Sequence, residues 1–249
     1  MDPIVDAAAR NLAAWHATSL AALGVGSDRQ GGWWLAPQVA PSIYHSAIGL
    51  DRPAGRAERR RMVADLQAWA DETSTFLSVC DSFGVLDLRP LGLEHRARTP
   101  WFERPPARTH PLPHDPVPEG LTVERVDTIA DLVTFERTMV RAYRARPPVA
   151  DLDIHAPGVL ADHDLVVLLA RLDGAPAGVA MAHRAAGVVG VYGVGVVPEA
   201  RGLGIATALT RRAVASADDL PVVLQPSPIA EALYRRLGFT GCGWYDHWA

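Results

Sequence analysis

Two groups of residues in the second half of this 249-residue chain could do chemistry. The first is Arg201-Gly202-Leu203-Gly204-Ile205-Ala206-Thr207. It follows an apolar, β-branched run, Val188 to Val197, which Pro198 closes because proline has no N–H for a ladder. It leads into a run of helical composition, Thr207 to Ala217. A strand, a glycine turn and a helix N-terminus in succession leave unpaired N–H groups beside the positive end of a helix dipole, a place that favours phosphate. Gly202 and Gly204 carry no Cβ to hold a phosphate off the main chain, and Arg201 adds a full charge at the rim. The second group is Tyr234, within the helical run Ala230 to Leu237 that Gly238 stops, just after a short apolar strand, Pro221 to Gln225. A phenol there can hand over a proton. Taken singly, the first group also reads as an ordinary tight turn and the second as a packing tyrosine.

Spacing removes two nucleotide readings. The pattern G-x-x-x-x-G-K-[ST] is absent, and G-x-G-x-x-G fails because Thr207 stands where the third glycine belongs. What remains is Arg-x-x-Gly-x-Ala at Arg201, Gly204 and Ala206, led in by Val196-Val197-Pro198-Glu199. This resembles the pyrophosphate loop of the GNAT superfamily of acetyl-CoA-dependent N-acetyltransferases. The string ALYRRLGF, Ala232 to Phe239, resembles that family's second signature. The resemblance covers Leu121 to Ala249 and implies direct acetyl transfer from acetyl-CoA to an amine within a ternary complex. It implies that Arg201, Gly202, Gly204, Ile205, Ala206 and Thr207 hold the diphosphate. It implies that backbone groups at Val194 and Val196 hold the pantetheine arm and the thioester oxygen, and that Tyr234 protonates the leaving thiolate. Ser227 stands where the family often has an asparagine, so contacts to the arm differ on that side.

The acceptor side is less legible. Tyr192 is two residues before Val194 and on a regular strand shares its face, so it would line the acceptor pocket. Glu199, His183, Asp246 and His247 are the candidates for the proton-accepting base, each with a solvated or structural alternative. Two further readings stay open: an acyl-CoA-binding sensor or scaffold without turnover, and transfer of another acyl group or to a hydroxyl.

These groups must be positioned by a mixed α/β (α+β) fold. Thr122 to Val126 reads as a strand, Asp127 as the cap of a helix to about Tyr143, and Asp164 to Arg171 with Ala177 to His183 as a hairpin turning at Asp173-Gly174. The resemblance extends this to a GNAT-like mixed central sheet with flanking helices. Before it, residues 104–120 hold six prolines, Pro105, Pro106, Pro111, Pro113, Pro116 and Pro118, and read as a linker. His110, His114 and Asp115 within it lack a zinc spacing. Residues 1–103 read as a helix from about Leu12 to Leu23, strands near 31–35, 43–48 and 75–80, a helix Glu58 to Ala70, a short turn at 86–93 and a strand at Trp101-Phe102.

The two halves share a faint repeat. Leu237-Gly238-Phe239 corresponds to Leu91-Gly92-Leu93, and Val194-Gly195-Val196 to Ile48-Gly49-Leu50 at the same offset. At that offset Gly204 falls on Glu58, Ala206 on Arg60 and Tyr234 on Leu88. Residues 1–103 are therefore expected to be a degenerate GNAT-like domain, 104–120 a linker, and 121–249 the catalytic domain. The copy would bind no nucleotide, because a carboxylate occupies the anion position. Its tryptophans, Trp15, Trp33, Trp34, Trp69 and Trp101, exceed what so small a unit leaves in water, so some should meet the catalytic half.

Composition bounds the rest. Hydrophobic residues make up 49%, enough for a core, and the net charge of −4 without a long basic run does not suggest nucleic acid. Cys80 and Cys242 form no metal or redox motif, so no metal is expected and a reducing cytoplasm fits. No apolar run is long enough to span a bilayer, and acidic Asp2 and Asp6 oppose a signal peptide. A monomer or a homodimer is expected.

Overall fold

The computed structural model describes residues 3–37, 43–113, 116–148 and 150–249; His114 and Asp115 lie outside them. The chain runs α1 (Pro3–Ala22), β1 (Asp28–Gln30), β2 (Trp33–Leu35), β3 (Ala47–Gly49), α2 (Arg56–Thr73), β4 (Val79–Asp81) and β5 (His95–Arg104). It continues β6 (Leu121–Arg125), α3 (Ile129–Tyr143), β7 (Leu165–Leu172), β8 (Ala175–Ala185), β9 (Val188–Val196), α4 (Ile205–Val214), β10 (Val222–Leu224), α5 (Glu231–Arg236) and β11 (Thr240–Trp248). The expected mixed α/β architecture is present. α3 begins one residue later than the sequence suggests. Thr128, not Asp127, is the cap, its hydroxyl accepting from Asp131 N at 3.1 Å, while Asp127 pairs with Arg125.

The eleven strands among the described residues join one sheet, in the order β1-β2-β3-β4-β11-β5-β10-β9-β8-β7-β6. About the central β11–β5 pair the order is nearly symmetric: β4, β3, β2 and β1 on one side correspond to β10, β9, β8 and β7 on the other, and β6 has no counterpart. On one side, β2 and β3 are antiparallel, and α2 carries the chain from β3 to the parallel β4. On the other, β8 and β9 are antiparallel, and α4 carries the chain from β9 to the parallel β10. Each half therefore places its last strand inside the other. β5, from the first half, is antiparallel to β10 (Leu224 opposite Phe102) and also to β11 (Gly241 opposite Phe102). Trp101 and Phe102 on this strand are fully buried, each contributing roughly 2–3 kcal/mol by leaving water. The sheet thus runs without interruption across residues 1–103 and 121–249.

The helices cover alternating strand residues. α1 and α3 share one core with Val188 and Tyr192 of β9, and α4 and α5 share the other with Val189 and Val191. α2 packs Met62, Leu66 and Ala70 on Trp33 and Leu88. The proline-rich stretch lies along α4: Arg108 N donates to Asp218 O at 2.8 Å, and Arg211 donates to Pro113 O.

In the first half the corresponding helix start carries a carboxylate. Glu58, in the first turn of α2, accepts from Ala54 N at 2.6 Å just ahead of the helix, which puts negative charge beside the N-terminus.

Candidate active site

β9 and β10 pair only as far as Val191 and Leu224; β10 ends there while β9 runs on to Val196, leaving a gap beside it. Two local features shape the gap. At Gly193, φ is +59°, which glycine adopts without a Cβ clash. There β9 takes one extra residue against β8, between the Tyr192–Met181 and Gly195–Val179 pairs. The bulge reverses the side-chain alternation. Tyr192 belongs to the α1–α3 core and Val194 packs with the α4–α5 core, so the expectation that they share a face is wrong.

Past the gap, Pro198–Ala200 forms one 3-10 turn and the chain reaches α4, with Gly204 as its N-cap at φ +81°. Gly202 also has positive φ, +80°. Such a start points the first N–H groups of α4, from Ile205, Ala206 and Thr207, out of the helix without intrahelical partners. Beside them is a cavity of about 240 Å³ lined by Gly204, Thr207, Arg211, Arg236 and, from the proline-rich stretch, Pro116 and Val117. Pro118 lies against Gly204, so that a Cβ there would stand 3.6 Å from its ring. Arg201 is not at this cavity. Its guanidinium donates to Val196 O at 3.2 Å and to Ala142 O at 2.7 Å, tying the end of β9 to the end of α3. Arg211 and Arg236 are the cations the sequence reading missed. Their spacing on two different helices gave no local signal.

Tyr234, on α5, is 6% exposed and packs edge-on against Phe239, with ring centroids 5.8 Å apart. Burial and then the neighbouring Tyr143 push its hydroxyl above the ordinary tyrosine range, and a hydrogen bond with Thr210 opposes them. Tyr143 itself donates to Val194 O at 3.0 Å. Tyr143 therefore links the edge of β9 with Tyr234, the residue expected to serve as acid. It too was missed, because it sits at the end of α3, remote in sequence. Ser227 is exposed, and its carbonyl accepts from Ala230 N at 2.9 Å at the start of α5.

Three of the proposed bases are committed elsewhere. Glu199 forms an ion pair with Arg141 at the surface. His183 faces Asp162 at 3.6 Å, and Asp246 pairs with His95 at 3.0 Å and Arg98 at 3.2 Å. His247 is connected inward: its Nε2 lies 3.3 Å from Ser78 Oγ, which lies 3.3 Å from His45 Nδ1.

On the α1 side of the gap, Trp15 stacks on Tyr192, with centroids 4.3 Å apart and planes 10° apart. Asn11 locks this contact. Its Oδ1 accepts from the Tyr192 hydroxyl at 2.6 Å, and its Nδ2 donates to the carbonyls of His183, Ala185 and Val188 at 3.0 to 3.1 Å. Burial raises the Tyr192 hydroxyl pKa well above the usual value, which keeps it a neutral donor.

Comparison with known proteins bears on this arrangement. Residues 129–239 match the model of the acetyltransferase (GNAT) family. The chain is 29% identical over 234 residues to a mycothiol acetyltransferase of Salinispora arenicola (strain CNS-205), covering 86% of this chain and 71% of that protein. Its fold is similar to that of a GCN5-related N-acetyltransferase from Kribbella flavida, with a TM-score of 0.64 at 20% identity over 95% of this chain and 94% of that one. A GCN5-related N-acetyltransferase from Sphaerobacter thermophilus aligns with a TM-score of 0.60 at 17% identity, over 90% and 75% of the two chains. Among the described residues no helix is long and apolar enough to cross a membrane.

Proposed function

Residues 129–239 are an acetyltransferase domain of the GNAT family, and from that premise we propose that this chain moves an acetyl group from acetyl-CoA to a primary amine by direct transfer in a ternary complex. The observation that carries the reading is the end of β9–β10 pairing at Val191 and Leu224, next to the Gly204-capped start of α4. An extended arm ending in a thioester can enter between the strands while its diphosphate lies on the helix N-terminus.

The residues then take distinct parts. The N–H groups of Gly202, Gly204, Ile205, Ala206 and Thr207 hold the diphosphate, with Arg211 and Arg236 adding charge. Arg201 shapes the loop by holding Val196 O and Ala142 O. Backbone groups at Val194 and Val196 receive the pantetheine arm, and Tyr143 gives up its bond to Val194 O as the arm enters. A fixed N–H beside the thioester stabilises the oxyanion that forms when the amine attacks. The C–S bond breaks and the thiolate takes the proton of Tyr234. The raised pKa of Tyr234 keeps that proton in place until a thiolate arrives. Ser227, exposed before α5, contacts the arm near its entrance.

The similarity to a mycothiol acetyltransferase supports acetyl transfer as the activity. Release of coenzyme A, followed with acetyl-CoA and panels of primary amines and of alcohols, tests the reading. Amine-dependent release is expected. Acetyl-CoA binding with no release in any panel would instead indicate a sensor, and alcohol-dependent release an O-acyltransferase.

A further inference from the structure

A cavity of about 180 Å³ opens where the β9–β10 pairing ends, lined by Trp15, His16, His45, Tyr192, Gly193 and Gln225 among others. Tyr192 and Gln225 are the residues immediately after the last β9–β10 pair, so this cavity is the α1-side mouth of the gap. None of its lining residues is acidic. Three buried polar atoms on its lining residues have no hydrogen-bond partner: Trp15 Nε1, His16 Nε2 and Gln225 Nε2. Trp15 and His16 are 7% and 1% exposed. An unpaired polar atom at such depth is costly, and two of these residues converge from one turn of α1.

The state of His16 follows from its other nitrogen. Nδ1 lies 2.9 Å from Leu12 O. A carbonyl only accepts, so Nδ1 carries the hydrogen and Nε2 of the neutral ring carries a lone pair. Burial lowers the pKa of His16 to about 4, against a smaller opposing effect of the Leu12 bond, so the ring is neutral near pH 7. Its aromatic neighbours hold it in place: His45 stacks on it with centroids 5.5 Å apart and planes 11° apart, and Trp15, Trp34 and Tyr44 meet it edge-on. His45 is neutral too, its pKa pulled down by burial and then by His16 and His247.

We propose that this cavity, a third of whose lining comes from α1, receives the acceptor amine, and that His16 Nε2 takes the amine's proton. The proposal rests on the reading of the chain as an amine acetyltransferase. The amine enters uncharged, since no carboxylate lines the cavity to pair with an ammonium. Its nitrogen attacks the thioester carbon, the N–C bond forms and the C=O pair moves onto oxygen. The N–H proton passes to His16 Nε2, and the nearby oxyanion favours the imidazolium. The carbonyl re-forms, the C–S bond breaks, and the thiolate takes the Tyr234 proton. Water then restores both side chains. Trp15 Nε1–H and Gln225 Nε2–H can only donate. The acceptor class is therefore a small primary amine bearing an oxygen lone pair a few bonds from its nitrogen.

The test uses the full chain, acetyl-CoA and two isosteric probes, 2-methoxyethylamine and butylamine, with rates referred to the unprotonated amine. Wild type should favour 2-methoxyethylamine at least about tenfold in kcat/KM, because butylamine leaves the two donors unpaired. Equal values would overturn the cavity assignment. The variant His16→Asn keeps an N–H for Leu12 O and removes Nε2. Its kcat should fall about 100- to 10,000-fold, with calorimetric acetyl-CoA affinity unchanged. An unchanged kcat in the folded variant would overturn the role of His16. Transfer by wild type to neither probe, while other amines of the panel are acetylated, would overturn the acceptor assignment; absence of release with every amine would overturn the proposed function itself. The isostere comparison needs no variant to fold.

Discussion

The indole of Trp15, on the first helix, lies flat on the phenol of Tyr192, on the strand that leads to the glycine loop, 4.3 Å between centroids. The contact joins the two halves of the chain at the cleft. A deeper joint is the sheet itself, where β5 stands between β10 and β11. Residues 121–249 expressed alone would leave the buried edges of β10 and β11 without a shared neighbour. We predict that this fragment is insoluble or unfolded by circular dichroism, and that the whole chain unfolds in one calorimetric transition. A soluble fragment as stable as the whole chain would contradict this.

Tyr234→Phe removes the proposed acid and keeps the ring that packs on Phe239. Turnover should fall about 10- to several thousand-fold, as for loss of a general acid, with acetyl-CoA affinity little changed. Steady-state release of coenzyme A together with titration calorimetry measures both. An unchanged rate would return Tyr234 to a packing role.

Stability should depend on pH through the buried imidazoles. Burial lowers the pKa of His16 to about 4 and lowers those of His45, His183 and His247 as well. Below the unfolded value of 6.5 the unfolded chain binds protons that the folded chain refuses, so stability falls as pH drops from about 6.5 towards 4. His16 alone removes about 2 kcal/mol by pH 5. Asp81, raised by burial, opposes this at lower pH. Thermal unfolding at pH 7.5 and 5 should show a clear drop in Tm for wild type and a smaller one for His16→Asn. Equal drops in the two proteins would remove His16 from the account.

The glycine loop, the helix it caps and the hairpin before it were legible in the sequence because each is a local pattern: apolar alternation, glycines at a turn, a proline stop. The offset between the halves also pointed to Glu58, whose carboxylate sits in the first turn of α2 and bonds Ala54 N. The exchange of β5 and β11 was not, since strand pairing between residues far apart leaves no mark on either segment. Gly193 concealed another feature. It reads as one more residue of an apolar run, yet the bulge it permits sends Tyr192 and Val194 to opposite faces. His16 drew no notice in the sequence, since it lies among the alanines of an amphipathic helix. Its companions Asn11 and Trp15 on the same buried side were the available signal, and their partners on β8 and β9 could be found only in three dimensions.

The central claim is that one half of a two-fold repeat holds acetyl-CoA and the other has lost the ability. Gly204 caps α4 at φ +81° and leaves its first N–H groups without intrahelical partners, whereas at α2 the Glu58 carboxylate, bonded to Ala54 N, puts negative charge beside the helix N-terminus. Isothermal titration of acetyl-CoA into the intact chain measures this directly. The account predicts one site per chain, abolished by Gly204→Glu in a variant that keeps its circular dichroism. Two sites per chain, or undiminished affinity in that variant, would contradict it.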